Sequence, residues 1–376
     1  MHRPQIFHFF LILTVLVVIA SQGIRGQAGA SEDVDVTRCW SFPSAETPPS
    51  TVAADNGHIF LGAAGAKLET LGRSGRKMWS TELGGSISSN LLPVDTSLLV
   101  VTSATESNGT KKAGSVLRSL SKETGITSWT RNLADADRHF LHSYNGWIIA
   151  VSANGTIHAF DSNSGTIMWK REIASGFTAQ PVFSTTRLFV ASTSNQIFTI
   201  ALSSGEIEGM RKIPFPLTAI ANISPSEVTV GDERGNVTLL LDSNNRSNWR
   251  FKSGGEISKI FAVGSNLLAT SHDNFVYSIV TRNGNVEWKR RLAGRAAYAA
   301  IILDRYTLIS SVEDQGAALI DLRNGKMVGQ MLLENGETIT DDPVFSDGLI
   351  LAITNKGAYG YSITGCTESN EGGTAK

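Results

Sequence analysis

The chain has 376 residues, 41% hydrophobic and 18% charged, with 33 lysines and arginines against 34 aspartates and glutamates. That profile fits a globular protein with a large core. A net charge of −1 argues against nucleic acid as a partner and against attachment to anionic membranes by bulk electrostatics.

At the N-terminus, Arg3 precedes an apolar run from Ile6 to Ala20, followed by small and polar residues. Residues 1–28 therefore read as a secretory signal peptide, with cleavage suited to follow Gly23 or Ala28. The run is shorter than the ~20 residues that span a bilayer. No later segment is apolar enough to cross one, and the C-terminal Gly-Gly-Thr-Ala-Lys is not a retention signal. The mature chain is expected to be secreted or in the endomembrane lumen, without a membrane span. Sequons at Asn108, Asn154, Asn236 and Asn245 agree with that location. A fifth, at Asn222, is set aside because Pro225 follows it and the segment reads as a buried strand.

From Trp40 onward the chain repeats. Tryptophan recurs at Trp79, Trp129, Trp169, Trp249 and Trp288, and glycine takes the equivalent place at Gly209 and Gly329. The spacing is about forty residues throughout, except where "ATESNGTKKAG" lengthens the interval between Trp79 and Trp129. Each unit reads as four short strands. In the third, "WIIAVS", "TIHAF" and "TIMWKREI" are apolar or β-branched runs separated by turn residues, with an inner strand before them. Four strands per forty residues is the pattern of a β-propeller blade. A small sheet that is apolar on both faces must be sandwiched between copies of itself, and a flat tryptophan on the outer strand suits that docking.

Seven units run from about Ser50 to Glu337, and the eighth is divided. "DDPVFS", "LILAIT" and "AYGYSI" supply three strands from the C-terminal side, and "TRCWSF" supplies the fourth from the N-terminal side. The predicted fold is an all-β, eight-bladed propeller over residues 29–366, with a tail at 367–376. In the repeat frame Cys39 and Cys366, the only cysteines, fall about 6–7 Å apart, at the upper end of disulfide reach. They are expected to pair and rivet the divided blade. The glycines at 209 and 329 are expected to leave two weaker blade contacts.

"GTIHAFDSNSGTIMW", "GEIEGM", "GNVEW" and "GKMVG" resemble the PQQ-like repeat. That repeat builds quinoprotein alcohol dehydrogenase-like propellers and the eight-bladed BamB-like propellers. The resemblance implies the fold strongly and the function weakly, since one fold hosts many activities. Its enzymatic branch implies a quinone stacked on adjacent cysteines, a calcium ion and a catalytic aspartate. This chain has no adjacent cysteines and no motif on which to place catalytic residues, so none are assigned, and no cofactor or metal is expected.

"LADADRHFLH" groups Asp135, Asp137, His139 and His142, read here as a solvated loop between blades and not as metal ligands. His272 with Asp273, and Glu313 with Asp314, read as hairpin tips. One propeller face would collect these residues with Arg138, Asp232, Glu233, Arg234, Arg295, Asp341 and Asp342. Glycans at Asn108, Asn154 and Asn236 would obstruct that face on blades two, three and five. The expected function is a monomeric, non-catalytic scaffold whose protein partner sits on blades six to eight or on the opposite face. The alternative is a PQQ-dependent oxidoreductase.

Overall fold

The computed structural model describes residues 33–44, 46–103, 114–241, 247–312 and 315–366. The leader at 1–28, the sequons at Asn108 and Asn245, the Glu313–Asp314 tip and the tail at 367–376 lie outside the described residues.

The chain is an eight-bladed β-propeller. Blades 1 to 7 occupy residues 49–82, 86–133, 139–172, 182–212, 217–252, 257–291 and 296–332. Blade 8 joins strands within 344–362 to Thr37–Pro43, which pairs antiparallel with Gly357–Ser362 as its outer strand. Each blade is an antiparallel meander from an inner strand A to an outer strand D.

The core lies between the blades. Eight clusters of buried apolar residues each join two neighbours, and together they close the ring. Ile149, Val151 and Ile157 of blade 3, for example, pack with Leu188, Val190 and Phe198 of blade 4. Leu349 and Ile353 of blade 8 pack with Val52 and Leu61 of blade 1. Strands B and C are apolar on both faces because each face meets a different neighbour.

Two local features shape the ring. A bulge before the tryptophan-type position shifts the outer-strand register, as between Arg38 and Trp40 and between Thr127 and Trp129. Prolines interrupt inner strands in blades 2, 4 and 8, where Pro93, Pro181 and Pro343 have no N–H to give the ladder. Those strands shrink to Ser86–Ile87 with Leu92–Val94, to Val182–Phe183 and to Val344–Ser346.

Candidate functional site

The tryptophans dock in one way around the ring. Each indole covers the turn glycine of the next blade: Trp40 on Gly75, Trp79 on Gly125, Trp129 on Gly165, Trp169 on Gly205, Trp249 on Gly284 and Trp288 on Gly325. These glycines have φ between +67° and +78°, where a side chain is strained. A Cβ on Gly205 would also lie 2.4 Å from the Trp169 ring. Five of the indoles donate to the carbonyl three residues before their glycine; Trp169 Nε1 donates to Leu202 O at 3.1 Å. Trp40 Nε1 is buried with no such partner. In blades 2 and 3 the arginine two residues after the tryptophan adds a clamp. Arg131 Nε donates to Gly165 O at 2.7 Å, and Arg171 Nε to Gly205 O at 2.6 Å.

Gly329 is not a weak contact, contrary to the sequence-based expectation. The lead-in to blade 8 passes directly over it. Val34 N donates to Val328 O at 2.6 Å, and a Cβ on Gly329 would lie 2.2 Å from Val34 O. Backbone replaces the indole there, and only glycine leaves room for it.

The ring closes on Cys39 and Cys366, joined by a disulfide with Cα atoms 5.3 Å apart. Cys39 occupies the bulge position. Beside it, Arg38 donates to Glu334 at 2.7 Å, to Glu337 at 2.9 Å and to the Tyr361 hydroxyl at 2.9 Å, and its guanidinium lies 4.4 Å over the Tyr359 ring. Burial alone would raise the Glu337 carboxyl. The Tyr359 hydroxyl, the Glu334 N–H and Arg38 instead hold it below its usual value. Nothing in the repeat pattern marks this lock, because Arg38, Glu334 and Glu337 lie outside the repeated positions.

Central hairpins and inter-blade connections share one face, and many of its polar groups hold their own loops. Asp232 is buried and accepts from the N–H groups of Arg234 and Asn236. Asp273 accepts from Gly254 N, Phe275 N and the Tyr277 hydroxyl. Asn236 is a correction to the sequon reading: it is buried, and its Nδ2 donates to both Asp232 oxygens at 3.0 and 2.7 Å. A glycan cannot be added to that nitrogen in the folded state. Asn154, by contrast, is exposed at its hairpin.

The "LADADRHFLH" segment is also corrected. Strand A of blade 3 begins at His139, so that side chain turns into the contact with blade 2, where it is 1% exposed. Its Nε2 lies 3.3 Å from Asp135, which also accepts from Ser152 Oγ at 2.8 Å. His142 is partly buried and stacks on Phe183, with ring centroids 4.0 Å apart. Burial holds His139 and His142 below the usual histidine value. Burial, with Lys170 nearby, brings His158 down to about 4.

On the axis, a cavity of about 590 Å³ opens where the inner strand of blade 4 is short. Val182, Phe183, Ile220 and Phe261 line it together with Gln180 and Thr218. Lys259 of blade 6 donates to Asp342 at the start of blade 8 and sits 5.6 Å from the Tyr298 ring. Burial raises the neighbouring Asp341 carboxyl.

A family model described as outer membrane protein assembly factor BamB matches residues 32–143, 153–208 and 209–375. The chain belongs to this family. BamB of Escherichia coli K12 and that of Shigella dysenteriae serotype 1 are each 26% identical over 163 residues, which is 43% of this chain and 41% of theirs. The matched stretch thus spans less than half of either relative. The solved BamB of Moraxella catarrhalis superposes with a TM-score of 0.66 at 13% identity, over 89% of this chain and 99% of that one. A computationally designed protein, Ika8, does so at 0.71 and 13%, over 87% and 99%. At such identities the superpositions speak for the fold alone.

The axial cavity of this BamB-family chain does not fit a calcium-supported quinone stacked on adjacent cysteines. Both cysteines are bonded to each other in blade 8. Among the described residues, no three histidine, cysteine, aspartate or glutamate side chains are grouped to hold a metal ion. No helix among them is long and apolar enough to cross a membrane.

Proposed function

We propose that this BamB-family propeller is a non-catalytic protein-interaction scaffold working on the extracytoplasmic side of a membrane, in the secretory lumen or beyond it. The observation that carries the reading is how the polar face is built. Asp135, Asp232 and Asp273 are occupied in fixing their own loops. What remains is a rigid platform of exposed loops, which suits recognition of a partner more than turnover of a substrate. The assembly role in the bacterial relatives' name supports the same class of function. The disulfide and the apolar leader support an oxidising compartment.

With Asn236 buried and Asn154 exposed, a glycan at Asn154 would restrict the polar face at blade 3, and the partner is placed on blades 6 to 8 or on the opposite face. The test is cross-linking of the tagged, secreted protein in its native cells, followed by identification of stoichiometric partners. Recovery of a defined partner supports the scaffold. A chain that stays monomeric and uncross-linked, yet reduces a dye with alcohol or sugar after loading with PQQ and calcium, would overturn it.

A further inference from the structure

Charge is balanced over the whole chain but not around the ring. Residues 247–295 hold eight lysines and arginines against three carboxylates, in a protein whose net charge is −1. One of the eight, Lys259, turns into the axial cavity. The densest group is on the outer strand of blade 6, Val286–Arg291, where Lys289, Arg290 and Arg291 are consecutive and all exposed. Arg250 and Lys252 lie on the outer strand of blade 5, but they are engaged there, donating to Asn236 Oδ1 and to Arg234 O.

Charged side chains on an edge strand also protect it from unwanted pairing, and the outer strands of blades 3 and 4 show that ordinary use. Lys170 is paired with Glu172 in blade 3, and Glu208 with Arg187 in blade 4. Blade 6 differs. Its one outer-strand carboxylate, Glu287, is engaged by Asn266. None of the three cations has an ion-pair partner among the described residues, and Lys289 rests over the Phe275 ring at 5.3 Å. Arg290 holds the position at which Arg131 and Arg171 clamp the next turn, yet it makes no such bond. Its guanidinium is left to solvent.

We propose that the outer edge of blade 6, through Lys289, Arg290 and Arg291, docks an extended acidic polypeptide segment; this rests on the scaffold reading and names its surface. An outermost strand offers one row of unpaired backbone groups to an added strand. Guanidinium groups offer a two-pronged match to carboxylates. A polypeptide fits better than a membrane surface, because successive side chains of a strand point to opposite sides. Arg290 therefore departs from the side shared by Lys289 and Arg291, and the three cannot lie flat on one plane of headgroups.

The experiment titrates a fluorescein-labelled (Glu-Thr)5 peptide into the whole secreted protein and follows anisotropy. Binding should weaken at least tenfold between 50 and 300 mM salt, since exposed charges are screened. It should weaken at least tenfold in K289E/R290E/R291E and in the gentler K289Q/R290Q/R291Q, each checked for an unchanged melting temperature. K170E/K212E, on other blades, should bind as wild type does. No binding, equal loss in both charge-reversed proteins, or binding to phosphatidylserine vesicles in preference to the peptide would each overturn the proposal. So would a native partner captured equally by wild type and K289E/R290E/R291E, which would leave the scaffold reading standing.

Discussion

The contact between blades 3 and 4 and the contact between blades 7 and 8 solve one problem in two ways. In the first, Trp169 lies on Gly205, its indole N–H reaches Leu202 O, and Arg171 clamps the glycine carbonyl. In the second the chain is interrupted between strands C and D of blade 8, so no intact turn is present to receive an indole. Gly329 stands in place of tryptophan, Val34 backbone lies over it, and Arg38 ties the lead-in to Glu334 and Glu337. The repeated unit is therefore a pair, a tryptophan and the glycine one blade later. Where continuity fails, backbone and ion pairs take over.

The largest effect should come from breaking the regular contact. Trp169→Ala removes a large aromatic group and one hydrogen bond, and should cost about 3–5 kcal/mol in guanidinium unfolding. Gly205→Ala should approach that loss from the other side of the contact, by strained φ and overlap with the ring. If the pair is the unit, the double variant will fall well short of the sum of the two. Full additivity would separate glycine from tryptophan and refute the pair rule.

At the closing contact, Arg38→Met should cost about 3 kcal/mol, because Glu337 keeps a buried carboxylate with its main cation gone. Arg38 is partly exposed and Glu334 is exposed, which places the value at the lower end of the usual range. Arg38→Met combined with Glu337→Leu should recover most of the loss, as apolar replacements of buried ion pairs often do. A double variant no more stable than Arg38→Met would show that packing of the arginine on Tyr359, and not charge, holds the lead-in.

The disulfide should contribute less than its long loop suggests. Cys39→Ser with Cys366→Ser should cost about 2–3 kcal/mol, since strand pairing and Arg38 already hold the two ends. Comparing reduced and oxidised protein in urea tests this without mutation. A collapse of the native state on reduction would mean that pairing of Thr37–Pro43 with Gly357–Ser362 cannot stand alone.

How much of this was legible before the fold was known depends on whether a feature repeats. The period, the four strands and the split blade all follow from tryptophans forty residues apart and from the patterns around them. The glycine partners were also within reach. Gly209 has no tryptophan, and one blade later Asn245 stands where the turn glycine should be, so the two members are missing together. Arg38, Glu334 and Glu337 gave no signal, because ion pairs between residues some 300 apart leave no local pattern. His139 was misread because the boundary between loop and strand falls inside a polar run, and a one-residue difference there turns a side chain from solvent into the core. The cationic edge of blade 6 was hidden for a related reason: a strand's charges matter by the edge they share, and composition averages that away.

The finest test separates the two regions by pH. Burial holds His158 at about 4 in the folded state, against about 6.5 in an unfolded chain. Between those values the unfolded chain binds a proton that the folded one refuses. Stability from this group is therefore complete above pH 6.5, declines as pH falls toward 4, and changes no further below it, with a slope of at most about 1.4 kcal/mol per pH unit. His139 and His142, also lowered and also on blade 3, act in the same direction, losing stability as pH falls below their unfolded value. Glu337 acts later: its lowered carboxyl stabilises the fold above the unfolded value near 4.5 and loses that effect as pH falls through its folded value. His158→Gln should therefore reduce the slope of the unfolding free energy between pH 6.5 and 4 and leave the loss below pH 4 unchanged. Arg38→Met should do the reverse, sparing the upper window and weakening the lower one. If both variants flatten the same window, blade 3 and the closing contact do not unfold as separable titrating regions, and the acid sensitivity belongs to the ring as a whole.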